Sequence, residues 1–210
     1  MTARQRILSV LRGQIPDRVP VSLCKIDPYD TSSFWAQHKS FHPLLERARE
    51  VCDTFIYYRP KTGFFFSSPG AIDVEEERQA DTPGSETVTL RVRTEKGVLE
   101  RTARTSRLSA EQWVLKPWID SHADFDKFLS LPFSPYAPDI SALREKEREY
   151  GERAVFVIPL PTPVGVAGVL FAPGELSRFL LEEPKKVELL LDRIFDRLAP
   201  LYQSLAQNVM

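Results

Sequence analysis

The opening stretch of the chain sets the terms for everything after it. Thr2-Ala-Arg-Gln-Arg-Ile-Leu-Ser-Val-Leu-Arg-Gly13 reads as a short amphipathic helix. Thr2 stands at the N-cap with Gln5 three residues on, the pattern of a capping box. Ile7, Val10 and Leu11 form an apolar stripe, and Gly13 closes the helix. Pro16 and Asp17 turn the chain into Arg18-Val-Pro-Val-Ser-Leu-Cys-Lys25, a predicted strand that breaks into the polar run Lys25-Ile-Asp27-Pro-Tyr29-Asp30. A helix set ahead of a strand, with a polar loop directly behind it, is an α/β arrangement. In such folds chemistry gathers at the carboxyl ends of the strands.

Two further runs extend this pattern. After a long polar and aromatic loop over 27–42, Pro43 starts a helix through Leu44, Leu45, Ala48 and Val51. Thr54-Phe-Ile-Tyr-Tyr58 follows as a second strand and ends at Arg59-Pro-Lys61. Ala154-Val-Phe-Val-Ile158 is apolar throughout, as a strand covered on both faces must be. Its exit is the loop Pro159-Leu-Pro-Thr-Pro-Val-Gly165. The β-loop-α-β order predicts a parallel sheet.

Between these strands the periodicity changes. Residues 63–85 read as an irregular insertion. Thr87 to Arg93 alternates strictly, turns at Glu95-Lys-Gly97, and returns from Val98 to Thr105, which predicts a β-hairpin inserted over about 86–106. Trp113 to Trp118 links to a helix capped by Ser121 and running through Phe125, Phe128 and Leu129. Asp139 introduces a charged helix over 140–150, which Gly151 ends. A short helix over 174–183 is followed by a longer one from Pro184. Val187, Leu190, Leu191, Ile194 and Leu198 share one of its faces, and Pro200 is expected to kink it. Seventeen prolines favour short elements throughout.

Composition narrows the function classes. The chain has 210 residues and formal net charge -1, which argues against a nucleic-acid or anionic-membrane partner. No uninterrupted apolar run is long enough to span a bilayer. The charged amino-terminal helix lacks a signal-peptide core, so the expected location is cytoplasmic. Two cysteines, Cys24 and Cys52, do not make a disulfide framework.

Several blocks, in order, resemble the uroporphyrinogen decarboxylase superfamily. Arg4-Gln-Arg-Ile-Leu-Ser-Val-Leu-Arg-Gly13 with Pro16-Asp-Arg-Val-Pro-Val21 is similar to its opening helix and first strand. Lys116-Pro-Trp-Ile-Asp120 through Asp124-Phe-Asp-Lys-Phe128 is similar to its helix after the hairpin. Val157-Ile-Pro-Leu160, Gly165-Val-Ala-Gly168 and Phe179-Leu-Leu-Glu-Glu-Pro184 are similar to its third strand and the helices that follow. The resemblance implies a single α/β domain over 1–210: an incomplete (β/α)8 TIM barrel of uroporphyrinogen decarboxylase type, the amino-terminal portion only, with the hairpin inserted. A complete barrel has eight strand-helix units and about 250 residues. The implied activity is that of a lyase or methyltransferase component acting on a tetrapyrrole or a corrinoid-linked methyl donor. The alternative is a non-catalytic tetrapyrrole- or partner-binding half-barrel, or a truncated inactive product. The decarboxylase's Arg-Gln-Ala-Gly-Arg stretch after strand one is replaced by Lys25-Ile-Asp-Pro-Tyr29, its Ser-Asp on strand two by Tyr57-Tyr-Arg59, and no tyrosine occurs between Ala154 and Phe179. No cofactor is expected within this chain, and corrinoid or zinc would require a complete site. Three parallel strands with open edges would expose backbone and apolar surface, so either a second copy or complementary chain covers them, or the chain is a fragment, or the sheet closes in an unfamiliar way.

By position, the candidate catalytic residues are Asp27 and Lys25, a carboxylate and an amine behind the first strand. The candidate substrate-binding residues are Tyr29, the cations Arg59 and Lys61 behind the second strand, and Thr162 and Gly165 in the turn behind the third. The bland alternatives are a solvated loop, an ion pair to the acidic run 75–77, and a tight βα turn. Cys24 reads as a packed side chain rather than a thiolate nucleophile. His38 and His42 are four apart, but Pro43 puts His42 outside the helix, so no metal site is expected. Phe64-Phe-Phe66 with Trp35 and Trp113 would either line an apolar pocket or cover the core. The run Arg144 to Glu149 alternates in sign and reads as a solvated helix face.

Overall fold

The computed structural model describes residues 1–106 and 109–209. In chain order the elements are α1 (Ala3–Leu11), α2 (Phe34–Gln37), α3 (His42–Val51), β1 (Thr54–Tyr57), β2 (Val74–Thr82), β3 (Ser85–Thr94), β4 (Gly97–Ser106), β5 (Ser109–Lys116), α4 (His122–Leu129), α5 (Ser141–Tyr150), β6 (Ala154–Val157), α6 (Pro163–Leu170), α7 (Glu175–Glu182) and α8 (Pro184–Val209). Short 3-10 turns lie at Lys39–Phe41, Phe64–Phe66 and Gly151–Arg153. The chain divides into two compact units, Met1–Pro60 with Asp139–Pro159, and Lys61–Pro138 with Leu160–Met210.

In the first unit β1 and β6 pair in parallel, Thr54 opposite Ala154 and Tyr57 opposite Val157. Separated by almost a hundred residues of sequence, they meet because each is a short β-branched and aromatic run that needs cover on both faces. The capping box of α1 is present: Gln5 N–H donates to Thr2 Oγ1 at 3.1 Å and Thr2 N–H to Gln5 Oε1 at 3.1 Å. The apolar stripe expected on this helix is only partly right. Ile7 is buried, but Val10 and Leu11 are exposed, and the buried face carries Arg6 and Ser9 instead.

The strand expected over 18–25 is not formed as a strand. Residues 19–23 carry no regular secondary structure, and one backbone bond ties them to the residue before β1, Asp53 N–H to Val21 O at 2.6 Å. Pro20 has no N–H to offer. Side chains take the other places: Val21 N–H donates to Asp53 Oδ2 at 3.3 Å, and Phe55 N–H to Ser22 Oγ at 3.4 Å. Val19 and Val21 project their side chains to solvent.

The second unit holds an antiparallel sheet in the order β2-β3-β4-β5. The predicted hairpin is its central pair, with Val92, Leu99 and Ala103 buried. The flanking strands correct the expectation of an irregular insertion over 63–85 and of a plain link at 113–118. Every residue of β2 is exposed, so it has no hydrophobic alternation to read. Cross-strand ion pairs hold it: Arg91 to Glu77 at 2.7 Å, Arg93 to Glu75 at 3.0 Å and Arg78 to Glu86 at 2.5 Å. The rest of this unit is helical. Leu190, Ile194 and Leu198 of α8 are fully buried, and α6 and α7 pack on that helix. Pro200 lies inside α8, which runs on to Val209. Phe125 stacks on Phe179 with ring centres 6.0 Å apart. The fold is mixed α/β, and among the described residues no closed barrel forms.

Candidate functional site

The segment behind 18–25 is where the first unit concentrates polar groups. Lys25 has φ +58, an unusual left-handed conformation for a side-chain-bearing residue, and turns the chain sharply. Asp27 is therefore directed back into its own unit. Its Oδ1 accepts the Tyr29 N–H at 2.9 Å, and its Oδ2 accepts the Tyr150 hydroxyl at 2.8 Å. Tyr150, the last residue of α5, packs with Ile56, Ala154 and Phe156 over the parallel pair. Burial, then the Asp27 carboxylate beside it, pushes the Tyr150 phenol well above its ordinary range.

Tyr29 meets Tyr150 edge-on, ring centres 5.8 Å apart. Arg153 lies over the Tyr29 ring at 5.0 Å and Arg49 at 6.0 Å. Both guanidinium groups are anchored on carbonyls, Arg49 Nε to Pro28 O at 2.8 Å and Arg153 Nη2 to Glu149 O at 2.6 Å. The Asp30 carboxyl is held below its usual range, first by the Ser32 hydroxyl. This cluster is a polar and aromatic plug. Asp27 has both oxygens engaged and ties the loop to Tyr150.

The remaining candidates separate into two groups. Lys25 and Arg59 belong to the first unit, are exposed, and form no ion pair with a described residue. Lys61, Thr162 and Gly165 belong to the second. Lys61 is likewise exposed and unpaired. Thr162 is the N-cap of α6: its Oγ1 accepts the Gly165 N–H at 3.1 Å, and its carbonyl accepts the Val166 N–H. The Gly165 amide is thus spent inside the cap, and the turn expected to present amides to an anion is a helix start. No ion pair joins Arg59 or Lys61 to the acidic run 75–77, which is bound within the sheet.

Other sequence candidates are also resolved. Cys24, expected to be packed, is exposed, and Cys52 is half-buried. His42 Nε2 contacts Ala36 O at 2.8 Å, while His38 packs on Phe34 with ring centres 4.4 Å apart. The aromatic set divides: Trp35 packs with Phe34 and Phe41, whereas Phe64 meets Trp118 in the second unit and Trp113 is exposed. Among the described residues no three His, Cys, Asp or Glu side chains come together as a metal would need.

Sequence reasoning missed the strongest electrostatic feature of the first unit. Asp53 is fully buried immediately before β1. Arg6 of α1 donates to its Oδ1, and Arg18 reaches it through Nη1 at 2.8 Å and Nη2 at 3.1 Å. Arg6 also holds Asp17, Nε to Oδ1 at 2.6 Å and Nη2 to Oδ2 at 2.9 Å. Asp17 is kept well below the carboxylate range by Arg6 first and the terminal ammonium second. The signal was an arginine inside an apolar helix face and an acid at a strand entrance. Tyr150 was missed because nothing local links residue 150 to residue 27.

Fold and site together define a mixed α/β protein with a polar plug over a parallel strand pair and unpaired cations behind the strands. The chain matches no protein-family model, and neither curated proteins nor solved structures give a match to it.

Proposed function

We propose that this chain is the first portion of a (β/α)8 barrel of uroporphyrinogen decarboxylase type, a lyase or methyltransferase component that binds a carboxylated tetrapyrrole or corrinoid-linked substrate. One observation carries the reading. Val21 and Ser22 bond to Asp53 and Phe55 at the start of β1, and β1 pairs in parallel with β6, which supports the order in which the resemblance sets the first three strands of the barrel. Lys25 and Arg59 stand just behind the first two, unpaired and exposed, where such a barrel takes its substrate. Two cations there suit substrate carboxylates, the guanidinium through a two-pronged bond.

In this reading Lys25 and Arg59 bind the acid groups, and Tyr29 with Asp27 shapes the loop that presents Lys25. Asp27 holds the loop through Tyr150. A complementary chain or second copy completes the sheet. Exposed Val19 and Val21 on the first segment, and the unpaired edge of β6, are the surfaces such a copy would cover.

The test is product formation from uroporphyrinogen, and from a methylated corrinoid with a thiol, by the purified chain in whatever oligomeric state light scattering finds for it. Decarboxylated or demethylated product, lost in Arg59→Ala, supports the enzyme reading. Binding of the tetrapyrrole without turnover favours a non-catalytic half-barrel. Neither binding nor turnover by any assembled species defeats both.

A further inference from the structure

The second unit contains a buried cation that the proposed site does not use. Arg197 of α8 is only 6% exposed and forms no ion pair with a described carboxylate. Its Nη2 donates to Leu131 O at 2.6 Å and Pro132 O at 3.0 Å, and its Nη1 donates to Phe65 O at 3.3 Å. The rings of Phe65 and Phe133 cover the guanidinium, 4.4 and 5.0 Å from its carbon. Carbonyls and aromatic faces solvate the charge but do not neutralise it.

An arginine carries five N–H groups, and the described acceptors take three bonds. Among the described residues its Nε–H has no acceptor, so the guanidinium keeps hydrogen-bonding capacity to spare. Beside it lies a cavity of about 160 Å³ whose walls include Phe65, Phe128, Phe133 and Leu190. An apolar cavity of about 150 Å³ takes one benzene ring.

The backbone at this wall is unusual. Phe65 and Phe66 hold φ of +47 and +61, conformations that bulky side chains rarely adopt. This local strain places the Phe65 ring on Phe128 at 4.4 Å and its carbonyl on Arg197. Strain of this kind is characteristic of ligand clamps. Two arginines, 193 and 197, and one carboxylate, Asp196, line the cavity, and Asp196 pairs with neither arginine. The balance is one net positive charge.

We propose that this cavity is a binding site for a small monocarboxylic acid whose body is a single ring or a short branched chain, with the carboxylate on the Arg197 guanidinium that lines it and the apolar body against Phe65, Phe128 and Leu190. Burial, then Arg193, lowers the Arg197 guanidinium to about 10, so the cation persists at neutral pH. The site is too small for a tetrapyrrole and is independent of the function proposed above.

Benzoate is the probe, titrated calorimetrically into the intact chain at neutral pH and low salt, with benzyl alcohol as the uncharged counterpart. Benzoate binds saturably and at least about tenfold more tightly than benzyl alcohol, the factor expected of a hydrogen-bonded charge. Arg193 and Asp196 are exposed, so their variants keep the fold. Arg193→Gln weakens benzoate about twofold to fivefold and Asp196→Asn tightens it by a similar factor, with benzyl alcohol unmoved in both. Leu129→Trp, at a half-buried wall position, abolishes benzoate binding while the circular dichroism is unchanged. Equal affinity for the two probes, no saturable benzoate binding, weaker binding in Asp196→Asn, or full affinity in a folded Leu129→Trp overturns the proposal.

Discussion

Asp53→Asn is the substitution that most sharply probes how the first unit is held together. The residue is fully buried, with Arg6 on one oxygen and the forked Arg18 across both. The amide keeps the size of the carboxylate and one acceptor for the Val21 N–H, but it loses the charge and turns an NH2 toward a guanidinium. Breaking one side of a buried ion pair costs about 3–5 kcal/mol. Arg6 retains Asp17 through two bonds, so the cation is not orphaned and the lower end applies, about 3 kcal/mol. For a chain of this length that corresponds to roughly 6–12 °C in melting temperature. Urea unfolding followed by far-ultraviolet circular dichroism measures it, with Asp17→Asn as the control. Asp17 is 42% exposed, so its loss costs much less and shrinks further at 1 M salt. A loss below about 1 kcal/mol in Asp53→Asn, or equal losses in the two variants, would refute the view that Asp53 clamps α1 and residues 18–21 to β1.

Three further outcomes follow from the same geometry. Tyr150→Phe removes the hydroxyl from Asp27 and costs about 1 kcal/mol at neutral pH, read from urea midpoints. Because the folded phenol titrates above the unfolded one, its contribution is present below about pH 10 and lost as pH rises above it; the variant shows a shallower alkaline decline. Gly63→Ala would drive a methyl into the backbone carbonyls of Ser68 and Ser67, the latter at 2.9 Å, and should destabilise the second unit by about 3 kcal/mol in thermal melts. Lys25→Ala and Arg59→Ala, both at exposed unpaired positions, leave the melting temperature within about 2 °C of the parent, since surface changes stay near 0.5 kcal/mol.

The parts of this fold legible in the sequence are those with local signals. Thr2 and Gln5 announce a capping box, Thr54 to Tyr57 and Ala154 to Val157 are apolar runs that become strands, and the alternation of 87–105 becomes β3 and β4. What escaped was set by distant partners. β2 is built from exposed Glu75, Glu76 and Glu77, whose strand character comes from arginines on β3 and not from burial. Residues 18–25 carry strand propensity, but Pro20 and the side chains of Asp53 and Ser22 replace ladder bonds. At the candidate site, chain position singled out Lys25 and Arg59 as cations behind predicted strands. It could not reveal that Asp27 is tied to Tyr150 across 123 residues, or that Thr162 and Gly165 spend their polar groups on a helix cap.

The most direct test of the account is a visible-absorption titration of uroporphyrin into the parent chain and into the Lys25→Ala/Arg59→Ala double variant. The account predicts a saturable spectral shift in the parent and at least about tenfold weaker binding in the double variant, from the loss of two charge-assisted carboxylate contacts. No shift in the parent, or equal affinity in a correctly folded double variant, would contradict it.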